Sequence, residues 1–145
     1  MLQPFRFFGG RFPHTPHTLP IMTHIQTDGS FYEGSKSGGV VALIQFPNDH
    51  MRGFTYSLNK LQCHTEAEWA SVYFGLELAR REDQGMIGLE NDCLRVIRSI
   101  IFNSTGNHEY ERYYHNKIKE IAADMDWCGI RWAPRRTKRA DELLQ

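Results

Sequence analysis

Asp28, Glu68, Asp92 and Asp141 lie far apart in the chain, yet each stands at a junction where regular apolar patterning begins or ends. Asp28 closes "IMTHIQTD" and Asp92 follows "MIGLEN", two stretches that read as strands. Glu68 falls in the first turn of a helical pattern, and Asp141 lies in a short terminal helix. In open α/β sheets the productive crevice lies beyond the carboxyl ends of the strands, so Asp28 and Asp92 converge if their strands are neighbours. Carboxylates held side by side cannot all stay ionised without a cation, because each charge raises the pKa of the others. An oxygen-only set of this kind suits Mg²⁺, with Mn²⁺ as the alternative, and leaves coordination positions for phosphate and water.

Each acid also has a plain structural explanation. Asp28 can open a turn before Gly29. Glu68 can complete a capping box, Thr65-x-x-Glu68. Asp92 is a good N-cap, and Asp141 is a helix-start acid favoured by the dipole. Any one of these accounts suffices alone. Four such acids in order on such elements favour a shared site.

The elements that must position them follow from periodicity. Residues 21–28, 39–46 and 52–57 read as strands joined by short connections, the second pair through a Pro47-Asn48-Asp49 turn, which points to an antiparallel meander. Trp69, Val72, Tyr73, Leu76 and Ala79 recur at helical spacing. A short strand over 86–91 precedes a helix whose Val96, Ile97, Ile100 and Ile101 face a core. Tyr110, Tyr114, Ile118, Ile121 and Met125 mark another helix, 127–133 a strand, and Pro134 its end. The alternation predicts an α/β protein on a mixed sheet.

With 145 residues the chain is expected to form one domain over 21–145. Residues 1–20 hold four of the six prolines, a Gly-Gly pair and no acid, and are read as an irregular N-terminal arm dispensable to the core. Seventeen basic and seventeen acidic side chains cancel, so bulk charge names no partner. Locally, Arg131, Arg135, Arg136, Lys138 and Arg139 crowd together, either as a solvated run or as a phosphate-contacting patch. Three widely spaced cysteines point to reduced thiols and a cytoplasmic protein. No apolar run approaches a membrane span, and the N-terminus lacks the apolar core of a secretory signal.

"TDGS" at 27–30, "AEWASVYFGLELA" at 67–79, "ENDCLRVIRSI" at 90–100 and "WAPRRTKRADELL" at 132–144 together resemble the ribonuclease H family, type 1 branch. The resemblance spans roughly residues 21–145, in order. It implies a five-stranded mixed sheet with helices on both faces and an acidic site at Asp28, Glu68, Asp92 and Asp141. It also implies nucleic-acid contacts from Gly29, Ser30, His64, Thr65, Cys93, Arg135, Arg136 and Lys138. The chain departs from the family where asparagines usually precede the helical glutamate, since His64 and Thr65 stand there, and where a serine often follows the third acid, here Cys93. The stretch between Asp92 and Asp141 is too short for the basic handle of bacterial members.

The activity implied is Mg²⁺-dependent endonucleolytic hydrolysis of the RNA strand of an RNA–DNA hybrid, leaving 5′-phosphate and 3′-hydroxyl ends. Two ions about 4 Å apart would flank the scissile phosphate, with Asp28 bridging both, Glu68 and Asp92 on one side and Asp141 on the other. No membrane and no obligate protein partner are implied, and a monomer is expected. Two rivals remain: a DNA nuclease or resolvase of the same fold, and a non-catalytic nucleic-acid-binding module. Four clustered acids would be of no benefit to a pure binder of phosphates.

Overall fold

The computed structural model describes residues 3–12, 22–82 and 85–134. Alternation sets the central strand. In β2 (Thr23–Tyr32), Thr23, Ile25 and Thr27 are buried on one face, while His24 and Gln26 are half-buried on the other. β3 (Ser37–Gln45) and β4 (Met51–Leu58) continue from it as antiparallel neighbours. The turn between them is the expected one: Asp49 adopts φ 68° and its N–H donates to the Phe46 carbonyl at 2.9 Å. Aspartate tolerates that left-handed geometry better than most residues. β5 (Met86–Asn91) is buried nearly throughout and runs parallel to both β2 and β6 (Trp127–Trp132).

Among the described residues, three helices pack against the sheet. α1 (His64–Arg81) packs on β2 and β3, α2 (Leu94–Ile101) on β6, and α3 (Glu109–Ala123) against α1. Trp69, Val72 and Leu76 of α1 meet Ile25, Ile87, Leu89 and Ile130 of the sheet, with Ile97, Ile100, Ile118 and Ile121 closing the core. The short helix expected after Pro134 lies outside the described residues. No helix among the described residues is long and apolar enough to cross a membrane.

The described residues form a six-stranded sheet, not a five-stranded one, in the order β1-β6-β5-β2-β3-β4. The additional strand, β1 (Arg6–Gly9), comes from within the stretch expected to be irregular and pairs antiparallel with β6. Four residues, the last of them the first glycine of the Gly9-Gly10 pair, carry too short a pattern to signal a strand alone; β6 supplies the missing hydrogen-bond partners. Phe8 is buried in the main core, and its carbonyl accepts from Lys119 Nζ at 3.1 Å. Beyond the strand, the N–H groups of Arg11 and Phe12 donate to the Met125 and Asp126 carbonyls at 2.8 Å each.

Candidate active site

The parallel ladder between β2 and β5 ends at the pair Gln26–Glu90. Two residues further along each strand stand Asp28 and Asp92, so the two acids occupy matching positions where the strands part. Glu68 reaches the same point from the first turns of α1. One ligand oxygen from each of Asp28, Glu68 and Asp92 lies within 4.8 Å of the other two. Asp28 and Glu68 are each only 3% exposed, and Asp92 is half-buried.

The capping roles open to two of these acids are taken by their neighbours. α1 begins at His64 with Cys63 as its N-cap, and Glu66, not Glu68, reaches back to accept from the Gln62 N–H at 2.7 Å. The Thr65–Glu68 capping box therefore does not form. The N-cap position of α2 is Cys93, whose N–H donates to Asn91 Oδ1 at 2.7 Å, so Asp92 does not cap that helix. Both carboxylates are left to the cluster. Asp28 lies within β2, which continues to Tyr32, and opens no turn.

Crowding has the electrostatic consequence expected of it. Burial first, then a hydrogen bond with Asp92 and the charges of Asp28 and Asp92, push the Glu68 carboxyl up to about 10; the Gly29 N–H opposes them. That N–H donates to Glu68 Oε1 at 2.6 Å and to Asp28 Oδ1 at 2.9 Å. The His64 imidazole, half-exposed at the start of α1, places its Nε2 3.9 Å from Glu68 Oε2. Three hard oxygen donors held this close together fit a divalent cation of the Mg²⁺ or Mn²⁺ type.

The other expected contact residues lie on the elements that carry the acids or outside the described residues. The Ser30 hydroxyl accepts from the Gly39 N–H at 3.1 Å and is part of the β2–β3 ladder. Thr65 is half-buried in the first turn of α1. Cys93 borders the acids, and burial followed by the charges of Glu68 and Asp92 raises its thiol pKa. Asp141, Arg135, Arg136 and Lys138 lie outside the described residues.

Sequence reasoning passed over Asn91. It is 2% exposed, and its amide Nδ2 donates to the Thr27 carbonyl at 3.2 Å, Thr27 Oγ1 at 3.0 Å and Ser71 Oγ at 3.3 Å. The available signal was an amide at the buried end of an apolar strand, next to a candidate ligand.

A family model described as "Reverse transcriptase-like" matches residues 26–144. No curated protein matches the chain in sequence. Among solved structures it is similar to RNase H1 from the halophilic archaeon Halobacterium salinarum, at TM-score 0.75 and 21% identity over 84% of this chain and 93% of that one. It is also similar to the N-terminal RNase H domain of a Mycobacterium tuberculosis protein, at TM-score 0.76 and 16% identity, covering 86% and 91%. LC11-RNase H1, solved in complex with an RNA/DNA hybrid, aligns at TM-score 0.70 and 17% identity over 84% and 93%. At these identities the structural likeness concerns the fold.

Proposed function

The chain belongs to the reverse transcriptase-like family of ribonuclease H enzymes, and on that premise we propose that it is a divalent-metal-dependent endonuclease. It hydrolyses the RNA strand of RNA–DNA hybrids and leaves 5′-phosphate and 3′-hydroxyl ends. The observation that carries this reading is the convergence of Asp28, Glu68 and Asp92, from three separate elements, to within 4.8 Å. The substrate class is supported by LC11-RNase H1, which was solved with an RNA/DNA hybrid.

In this reading Asp28, Glu68 and Asp92 hold the cations, and Asp141 is the fourth ligand. Bound Mg²⁺, or Mn²⁺ in its place, lowers the pKa of an attacking water and neutralises charge on the departing 3′ oxygen. The protein's part is to keep its carboxylates in place. The Gly29 N–H fixes one oxygen each of Asp28 and Glu68. A cation held here would need Glu68 ionised, since a ligating carboxylate must be deprotonated. Arg135, Arg136 and Lys138 contact phosphates, and His64 and Thr65 meet the minor groove near the RNA strand. Gly29, Ser30 and Cys93 border the scissile phosphate. Hybrid recognition then rests on shape, phosphates and 2′-hydroxyls, with little base reading. Cys63, Cys93 and Cys128 are free thiols, which suits a reducing cytoplasm.

One feature favours a DNA nuclease as the second reading, namely His64 and Thr65 in place of amides at the minor groove. Incubation of labelled RNA–DNA, RNA–RNA and DNA–DNA duplexes with Mg²⁺ or EDTA separates the readings. Mg²⁺-dependent cleavage of only the RNA strand of the hybrid is expected. Cleavage of DNA duplex instead would select the second reading, and binding without cleavage would leave only a nucleic-acid-binding module.

A further inference from the structure

At the mouth of the sheet, where β2 and β5 separate, backbone pairing stops one residue short of Thr27 and Asn91. Parting strands create the crevice, but they also remove the hydrogen bonds that hold the strand ends at a fixed distance. The Asn91 side chain spans that gap. Asn91 Nδ2 donates to the Thr27 carbonyl and hydroxyl, next to Asp28. The same amide donates to Ser71 Oγ at 3.3 Å, and that hydroxyl donates to the Glu68 carbonyl at 2.7 Å. Asn91 Oδ1 accepts from the Cys93 N–H at 2.7 Å, which turns the chain immediately after Asp92. One buried amide thus touches, directly or through one hydroxyl, the backbone beside each of the three acids.

We infer that Asn91 is a positioning residue of the metal site: its side chain sets the spacing of Asp28, Glu68 and Asp92 without itself meeting a cation or substrate. The chemistry requires an amide. Thr27 presents a carbonyl, an acceptor only, whereas the Cys93 N–H is a donor only, so the group between them must donate on one side and accept on the other. Rotating the amide would set carbonyl against carbonyl and N–H against N–H. A hydroxyl is too short to span both strands, and a carboxylate would face the Thr27 carbonyl with another acceptor while adding charge to the acids. Outer partners of this kind orient ligands, and their loss weakens metal binding by about 10- to 100-fold.

The inference rests on the nuclease reading, so its test is built to separate the two. Full-length wild type, Asn91→Leu, Thr27→Val and Ser71→Ala are titrated with Mn²⁺ by calorimetry, and hybrid cleavage is followed against Mg²⁺ concentration. Asn91→Leu is expected to bind Mn²⁺ at least about tenfold more weakly. The Mg²⁺ concentration for half-maximal rate should rise in parallel, with KM for the hybrid unchanged and high Mn²⁺ restoring part of the rate. Thr27→Val and Ser71→Ala each remove one partner of the amide and should shift Mn²⁺ binding in the same direction by less. They carry the test if Asn91→Leu does not fold. Wild-type Mn²⁺ affinity in folded Asn91→Leu, or in both partner variants, overturns the inference even if melting temperatures fall, because a purely structural amide would show that pattern. Wild-type protein that neither binds Mn²⁺ nor cleaves hybrid overturns the nuclease reading, and this inference with it.

Discussion

The backbone N–H of Gly29 donates to Glu68 Oε1 at 2.6 Å, tying the central strand to the first turns of α1 at the acidic cluster. The contact exists because Gly29 has no side chain. A Cβ at this position would stand 2.8 Å from the Glu68 nitrogen and closer still to the Ala67 carbonyl, both backbone atoms that cannot yield alone. Gly29→Ala should therefore push α1 away from β2. We expect a loss of about 2–3 kcal/mol in stability, as for other overpacked sites, together with loss of Mg²⁺-dependent cleavage. Chemical denaturation paired with a cleavage assay checks it. A stable and active Gly29→Ala would show that the helix can shift without disturbing the acids.

The raised pKa of Glu68 gives stability a pH dependence with a definite sign. The unfolded carboxyl titrates near 4.5 and the folded one at about 10, so between these values the folded state holds a proton that the unfolded state has lost. Metal-free stability should then fall as pH rises, by at most about 1.4 kcal/mol per pH unit for one proton. His24 and His115, whose pKa values burial lowers, act below pH 6.5, and the raised thiols of Cys93 and Cys128 act above about 9. Lys119, whose pKa burial lowers from 10.5, adds a slope of opposite sign toward alkaline pH that Glu68→Gln retains, so the two proteins are compared over pH 6.5–8.5. Melts in EDTA across that range should slope downward in wild type and flatten in Glu68→Gln, and Mg²⁺ affinity should increase with pH. A flat wild-type profile would mean that Glu68 is ionised in the metal-free fold.

Asp28→Asn removes a charge from the same cluster and relieves repulsion. The metal-free protein should be as stable as wild type or slightly more so, within about 1 kcal/mol. The rise in melting temperature on adding Mg²⁺ should shrink, because a ligand stabilises only the state it binds. Cleavage should drop by orders of magnitude while hybrid binding in EDTA persists. Asp141→Asn should be milder. Thermal melts with and without Mg²⁺, combined with single-turnover cleavage, test both, and near wild-type cleavage by Asp28→Asn would sink the two-metal mechanism.

The N-terminal segment should matter to stability. Phe8 lies in the core at 7% exposure, and Lys119 Nζ bridges the Phe8 carbonyl and the Ile100 carbonyl in the last turn of α2. Phe8→Ala should cost about 3 kcal/mol, in the range of buried aromatic truncations. A chain beginning at Met22 should lose more stability than that and melt lower. Equal melting temperatures would show that β1 docks without contributing to the fold.

His64 begins α1 and is half-exposed beside Glu68, with Thr65 next to it. Replacing both with Asn puts amides at the proposed minor-groove surface, and helix starts accept asparagine well. Tighter binding to RNA-containing duplexes is expected, read by competition between hybrid and DNA duplex in EDTA. Flat or weaker hybrid affinity would place the pair outside the substrate contact.

Much of the fold was legible because it is local. Ile25 and Thr27 against His24 and Gln26, or Trp69, Val72 and Leu76 on one face of α1, declare strand and helix within a few residues. The acids were visible too, since charged side chains at the ends of apolar segments stand out by type. Local rules misassigned the caps: Thr65-x-x-Glu68 and Asp92 satisfy capping patterns, yet Cys63 and Cys93 stand at the two N-cap positions.

What the sequence determined by itself is the supply of chemistry: several carboxylates, in order, on elements able to meet. Whether they meet depends on which strands become neighbours, a matter of contacts between distant segments with no local signature. The pairing of β2 with β5, and not simply with the next strand in the chain, places Asp28 beside Asp92. The same long-range pairing turns Arg6–Gly9 into an edge strand on β6. Gly29 and Asn91 acquire their importance only there, because a missing Cβ or a single amide counts for little until two pieces of backbone approach it from different parts of the chain.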